Sequence, residues 1–198
     1  MGLKTILLLG ITMIILIFTA VNLSNFLYKD LYGVENASPS ITTNEPNKVV
    51  VLKVGEPITS SNIKIVVEKI LRTQKIKGNM GYRKIKDNET FIVVKVKIEN
   101  LRKNVSYYIS NMDFFLLDDK GRKYDCEMNV LDLKHALTIT TIPPKESIEG
   151  YIIYKIPKDV KVVKICYTFR NIQNIFDSCM AIWEENMSDI PYVDEISP

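Results

Sequence analysis

Histidine is almost absent from this 198-residue chain, with His135 the only one. A copper centre built on two histidines is therefore excluded, and most general-base arrangements would have to run on carboxylates. Cysteine is scarce too: Cys126, Cys166 and Cys179 show no CxxC spacing, and Cys126 with His135 makes at most half of a zinc site. His135, beside Ala136 and Leu137, reads as a packed or surface residue. No GxSxG, P-loop or dinucleotide fingerprint occurs. Asp118, Asp119 and Asp125 flank a turn without the ligand ladder of a calcium loop, so Asp and Gly there serve the turn itself. No catalytic residue, metal ligand or cofactor site is assigned, and the chain reads as non-enzymatic. A net charge of +3 is too small to imply nucleic-acid binding.

What the chain does have is a long apolar run. Residues 5–21 (TILLLGITMIILIFTAV) carry no charge and follow Lys4. Extended to Leu23, a helix here would span about 28 Å, close to the roughly 30 Å of a hydrocarbon core. The basic end lies first, which places the N-terminus in the cytoplasm and the bulk outside as a single-pass protein of the cell membrane. The competing reading is a cleaved export signal. Cleavage wants small residues at −3 and −1, and Phe18-Thr19-Ala20 has a bulky first position. Both readings export the remainder.

After this segment (1–24), residues 25–48 form a juxtamembrane stretch and spacer. Phe26, Leu27, Tyr28, Leu31 and Tyr32 suit the headgroup level, and the polar, proline-bearing 37–47 holds the domain off the surface. From Val49 the apolar period becomes two. Ile63, Ile65 and Val67 share one face; Ile92, Val94, Val96 and Ile98 share another, with Lys95, Lys97 and Glu99 opposite. Residues 113–126 read as two strands around Asp119-Lys120-Gly121. Residues 151–156 and 160–169 supply two more, with Val163, Ile165, Tyr167 and Phe169 alternating. Short strands joined by turns predict a mainly β fold, an antiparallel sandwich over 49–169. Beyond it, Ile172, Ile175, Phe176, Cys179 and Trp183 recur at helical spacing, predicting an amphipathic helix over 171–185 and then a loose acidic tail. The last unit is thus 170–198.

Four stretches carry a resemblance. They are Val54-Gly55-Glu56, FIVVKVKIEN ending at Asn100, the run Phe114 through Asp118 with Gly121 and Tyr124, and Pro144 leading to GYIIYKIP. In this order they resemble a prokaryotic family of exported immunoglobulin-like domains labelled "telomeric repeat-binding factor 2", similar to the mycobacterial immunoprotective extracellular antigen. The resemblance covers about 49–169. It implies an immunoglobulin-like β-sandwich displayed outside the cell, and it supplies no catalytic residues. A domain facing outward never meets chromosomes, so the telomeric label carries no function. The C-terminal helix and the basic segment before Thr90 depart from the family pattern.

Two constellations are candidates for function. Residues 69–86 carry Lys69, Arg72, Lys75, Lys77, Arg83, Lys84 and Lys86 with no acidic residue among them. Gly78-Asn79-Met80-Gly81 marks a central turn. One reading is a hairpin that docks on anionic lipid, an acidic envelope polymer or another surface protein; the other is a solvated hairpin whose lysines block edge pairing. Cys166 and Cys179 are the second. If a helix folds back over the last strand, Cys166 lies about 13 Å from the turn at strand rise and Cys179 about 12 Å at helical rise, so a disulfide is sterically matched. Two reduced, buried thiols are the alternative.

The sequence therefore reads as a membrane-anchored extracellular domain with an interaction or structural role at the cell envelope. The alternatives are a pilin-like filament subunit, for which no early acidic residue follows a processing site, and an accessory subunit of a membrane complex. Asn88-Glu89-Thr90, Asn104-Val105-Ser106 and Asn186-Met187-Ser188 are glycosylation acceptors only in a host that modifies exported asparagine.

Overall fold

β-branched and aromatic residues alternating with polar ones make most of the chain extended. A computed structural model describes residues 48–79, 81–128, 134–170 and 178–196. The apolar run and most of the spacer lie outside the described residues. Thirteen strands occur among the described residues: β1 (Lys48–Leu52), β2 (Pro57–Ser60), β3 (Ile63–Thr73), β4 (Lys75–Gly78), β5 (Gly81–Lys84), β6 (Glu89–Asn100), β7 (Tyr107–Ile109), β8 (Phe114–Asp118), β9 (Lys123–Tyr124), β10 (Thr140–Ile142), β11 (Ser147–Pro157), β12 (Val162–Arg170) and β13 (Ser178–Asn186). One 3-10 turn, Asn111–Asp113, precedes β8.

Two main sheets form, with strand orders β11-β6-β3-β2 and β1-β13-β12-β8-β9. Their facing sides make the core. Ile92, Val94, Val96 and Ile98 of β6 are fully buried, as are Val163 and Ile165 of β12 and Trp183 of β13. Each such side chain stabilises by about 1.5–3 kcal/mol through removal from water. The mainly β architecture and the predicted inward faces of β6 and β12 stand as expected. The Trp183 indole N–H donates to the Glu56 carbonyl at 2.9 Å, which ties the turn before β2 to the second sheet.

The expected helix over 171–185 is corrected. Residues 178–186 are the strand β13, while 171–177 lie outside the described residues. Within that strand Ala181 and Trp183 are buried and Met180 and Ile182 only partly so, a period of two. It lies between β12, antiparallel, and β1, parallel. Ladder bonds on both flanks outweigh the helical spacing, which depended on apolar residues from both sides of the 178 boundary.

The acidic tail is not loose over its described part. Met187 and Ile190 join the core, and the chain then runs along the edge of β3 that β2 leaves uncovered. There Arg72 N–H donates to the Pro191 carbonyl and Val193 N–H to the Arg72 carbonyl, while Lys77 N–H donates to Ile196 and Ile196 N–H to Lys75. Tyr192 and Ile196 thus bridge in parallel to Arg72 and Ile76.

The tail and the β4–β5 hairpin together cover half of the outer face of the first sheet. Phe91, Val93, Ile153, Ile76 and Ile196 form a second apolar cluster there. Further along the same face Lys95 bridges Glu68 at 2.8 Å and Glu149 at 2.7 Å, and Lys97 reaches Glu149 at 3.4 Å. The hydrogen bonds that Lys95 donates to Glu149 and Glu68 raise its pKa. One strand therefore has an apolar outer half under cover and a charged outer half in solvent.

At the end of β6 a buried asparagine organises three loops. Asn100 Nδ2 lies 2.9 Å from the Val105 carbonyl, 3.0 Å from that of Ile142 and 3.2 Å from that of Pro143. Its Oδ1 accepts from Arg102 N–H. Its own N–H donates to Glu146 and its carbonyl accepts from Lys145.

Candidate functional site: the basic hairpin and its cleft

The basic segment folds as the glycines dictate. β4 and β5 pair antiparallel, and Gly78 opposite Gly81 closes the hairpin. Gly81 has φ +115°, a conformation that side-chain-bearing residues rarely adopt. Ile76, fully buried, anchors the hairpin on the sheet, with Arg83 across from it on the same side. Lys75, Lys77 and Tyr82 face away. Lys75 Nζ lies 3.9 Å from the Tyr82 ring centroid and 3.1 Å from a Glu195 oxygen, and Lys77 lies 6.0 Å from the same ring.

The seven predicted cations do not form one patch. Lys69 sits on β3, exposed and opposite Lys95. Arg72 pairs in register with core-facing Ile92, and its buried Nε has no hydrogen-bond partner. Lys75 and Lys77 lie on the far side of the hairpin with Tyr82. Arg83, Lys84 and Lys86 border a cleft between the hairpin and β11, but register turns Lys84 to the side of Lys75 and Arg83 to that of Ile76.

That cleft measures about 450 Å³. Ile76, Ile85, Phe91 and Ile153 form its apolar lining, and Lys155, Glu89 and Glu127 complete the rim. Lys155 and Glu127 stand 3.9 Å apart. The residues bordering the cleft thus include four cations and two carboxylates. Glu127 is placed by its backbone, whose N–H donates to the Ile153 carbonyl on the edge of β11. Sequence reading missed the lining and Lys155. The available signal was the unbroken apolar run Phe91–Val94, too apolar for a strand with one wet face.

The proposed Cys166–Cys179 bridge is corrected. Cys166 is a free, buried thiol. Register places it opposite Ile182, whereas Cys179 lies opposite Phe169, three positions along. That is about 10 Å at strand rise, beyond the Cα separation of about 4.4–6.8 Å that a disulfide spans. The depths matched only under a helix running through 178–185, which are strand β13.

The other reactive groups are committed or shielded. Burial pushes the Cys166 thiol up to about 12 and raises Cys126 as well, so neither supplies a thiolate nucleophile near neutral pH. Asp118, buried at the end of β8, accepts from the backbone of Lys120 at 2.8 Å and of Arg122 at 2.9 Å, from Arg122 Nε at 2.6 Å and from the Tyr124 hydroxyl at 3.0 Å. Burial alone would raise its pKa. The Arg122 and Tyr124 hydrogen bonds outweigh that and bring it to about 2. Its carboxylate shapes the turn into β9. His135 is exposed and contributes its backbone carbonyl to Tyr151 N–H. Among the described residues no group of three or more His, Cys, Asp or Glu side chains is arranged to hold a metal ion. Nor is any helix among them long and apolar enough to cross a membrane.

Residues 52–176 match the family described as Domain of unknown function (DUF4352), and the chain belongs to that family. The telomeric label finds no support there. No curated protein matches the sequence. The chain is similar in structure to the ycdA protein of Bacillus subtilis, described as a candidate lipoprotein, with 17% identity and a TM-score of 0.54. The match covers 70% of this chain but only 40% of that one. It is also similar to the yjhA protein of Bacillus subtilis, with 23% identity, a TM-score of 0.51, and coverage of 65% and 97% of the two chains. The secreted protein MPT63 of Mycobacterium tuberculosis matches at 14% identity over 72% of this chain and 100% of its own, with a TM-score of 0.44. The first two likenesses establish the fold, a β-sandwich.

Proposed function

We propose that the chain is a membrane-tethered, non-enzymatic binding domain: an immunoglobulin-like sandwich held on the outer face of the cell membrane, with its N-terminus in the cytoplasm. The observation that carries this reading is the charge-free apolar run at 5–21, followed by a polar spacer that ends where β1 begins. The sandwich shared with a candidate lipoprotein supports a surface setting. The spent carboxylate of Asp118 and the protonated thiols support a binding role over a reaction. Within the domain, the hairpin with Arg83, Lys84 and Lys86 is the docking element for an acidic partner, because residues 69–86 carry seven cations and no carboxylate.

The test has two parts. Full-length protein should stay in the membrane fraction through alkaline carbonate and should be shaved by protease added to intact cells. Full-length protein that is freely soluble without detergent, or protected until the cells are lysed, would overturn the tether. Retention on anionic liposomes or isolated envelope polymer should fall with salt and with Lys84→Glu and Lys86→Glu together. Retention indifferent to both would overturn the docking element. Stoichiometric partners in a detergent extract would assign the chain as an accessory subunit instead.

A further inference from the structure

We propose that β1 is a self-pairing edge: two copies of this chain join their second sheets antiparallel through Lys48–Leu52, centred on Val50. The inference goes beyond the docking hairpin, which lies on the outer face of the other sheet. Strand β1 ends the second sheet and pairs with β13 alone. Its free flank takes no backbone hydrogen bond among the described residues, so a row of N–H and C=O groups is left for another strand. The other edges of the sandwich are closed or short. The tail bonds to β3, and Glu127, His135 and Leu137 bond to β11. Strand β2 opens on Pro57 and buries its next three residues, and β9 has only two residues. In β1 neither proline nor bulge interrupts Val49-Val50-Val51, and the one charge, Lys48, stands at the end.

What this edge exposes is apolar. Val50 and Leu52 point into the core, while Val49 and Val51, on the opposite side, are 56% and 63% exposed. Register continues Val51 through Ile182 and Cys166 to Phe115, an apolar row across four strands that stops at β1. A second β1 centred on Val50 carries the row on. It sets Val49 of each copy against Val51 of the other and keeps both cores on the same side of the joined sheet. Lys48 then opposes Leu52, so the lysines of the two copies are not in direct opposition. Five residues a side make a small interface, of the transient class, and confinement decides whether it forms. The chain before β1 supplies that confinement under the tether reading. Residues 22–47 reach up to about 90 Å, whereas the two Lys48 Cα atoms of the pair stand about 14 Å apart. Two copies anchored in one membrane thus meet in the pairing geometry at a raised local concentration.

The experiment uses two full-length chains with different tags, Val49→Cys and Val51→Cys, reconstituted together in phosphatidylcholine vesicles and oxidised with copper phenanthroline. In the proposed register Val49 lies about 5 Å from Val51 of the other copy, within disulfide reach. Val49 lies about 8 Å from Val49, and Val51 from Val51, beyond that reach. The mixed-tag dimer is expected at least roughly tenfold above the same-tag dimers, in which the native cysteines set the background. A second readout is photobleaching of singly labelled chains in the same vesicles, in two steps for the unmodified chain. Val49→Lys with Val51→Lys, at two exposed sites, should return it to one step, with an unchanged urea midpoint showing that the domain stays folded. Mixed-tag and same-tag dimers in equal amount, no dimer of either kind, or two-step bleaching indifferent to the lysine pair would each overturn the proposal. Chains that fail to cross-link yet resist alkaline carbonate sink this inference alone, whereas cross-linking in chains that wash off would sink the tether alone.

Discussion

Replacing Asp118 with asparagine isolates one buried charge and gives a pH-dependent result. The carboxylate is wholly shielded and takes four hydrogen bonds, two from backbone N–H groups of its own turn. Its pKa falls from 3.8 to about 2 on folding. A depressed acid stabilises the fold above its unfolded pKa and loses that contribution as pH falls through its folded pKa. At ~1.36 kcal/mol per pH unit the full contribution is about 2.4 kcal/mol at pH 7. The same relation leaves about 1.3 kcal/mol at pH 3 and about 0.4 kcal/mol at pH 2. Asp118→Asn keeps the shape and abolishes the titration, so the stability gap between the two proteins should shrink along that curve. All other groups titrate in both. The assay is urea unfolding of the full-length chain in mild detergent, followed through Trp183, the sole tryptophan and a fully buried one. A gap below about 0.5 kcal/mol at pH 7, or one that stays constant down to pH 2, would refute the account of Asp118 as an ionised anchor.

Three further outcomes follow from the packing. Asn100→Ala should cost about 3 kcal/mol in the same unfolding assay, because it strands the Ile142 carbonyl and the Arg102 N–H inside the protein; a loss under about 1 kcal/mol would mean water replaces the amide. Gly150→Ala should cost about 1–3 kcal/mol, since its Cβ would lie 2.9 Å from Leu137 Cβ and 3.0 Å from that residue's backbone. Tyr154→Phe should be neutral or stabilising by up to about 1 kcal/mol, because the hydroxyl is buried with no hydrogen-bond partner; a clear destabilisation would reveal a partner for it.

Local pattern was enough to read much of this fold. The inward faces of β3, β6 and β12 were legible because each strand buries one face, and burying one face forces a period of two. The hairpin at Gly78 and Gly81 and the turn at Asp118 were legible because only a few residue types suit such turns. Where an element is buried on both faces, that signal disappears. The outer side of Phe91 and Val93 and the cleft beside Phe91 were therefore hidden. β13 was misread for a related reason: a central strand flanked by β1 and β12 draws its stability on one side from the ladder Lys48–Leu52, at the other end of the described chain, and no local window contains both.

The same division holds for function. Sequence by itself determined the apolar segment at 5–21, the poverty in histidine and the excess of cations over 69–86, because composition and charge do not depend on how the chain packs. Tertiary structure alone decided that Cys166 and Cys179 lie three register positions apart, that the tail completes the open edge of β3, and that the hairpin borders one cleft with Lys155 of β11. Each of those is a distance between residues far apart in the chain, and such distances are set by strand register and by the cooperative burial of two sheets.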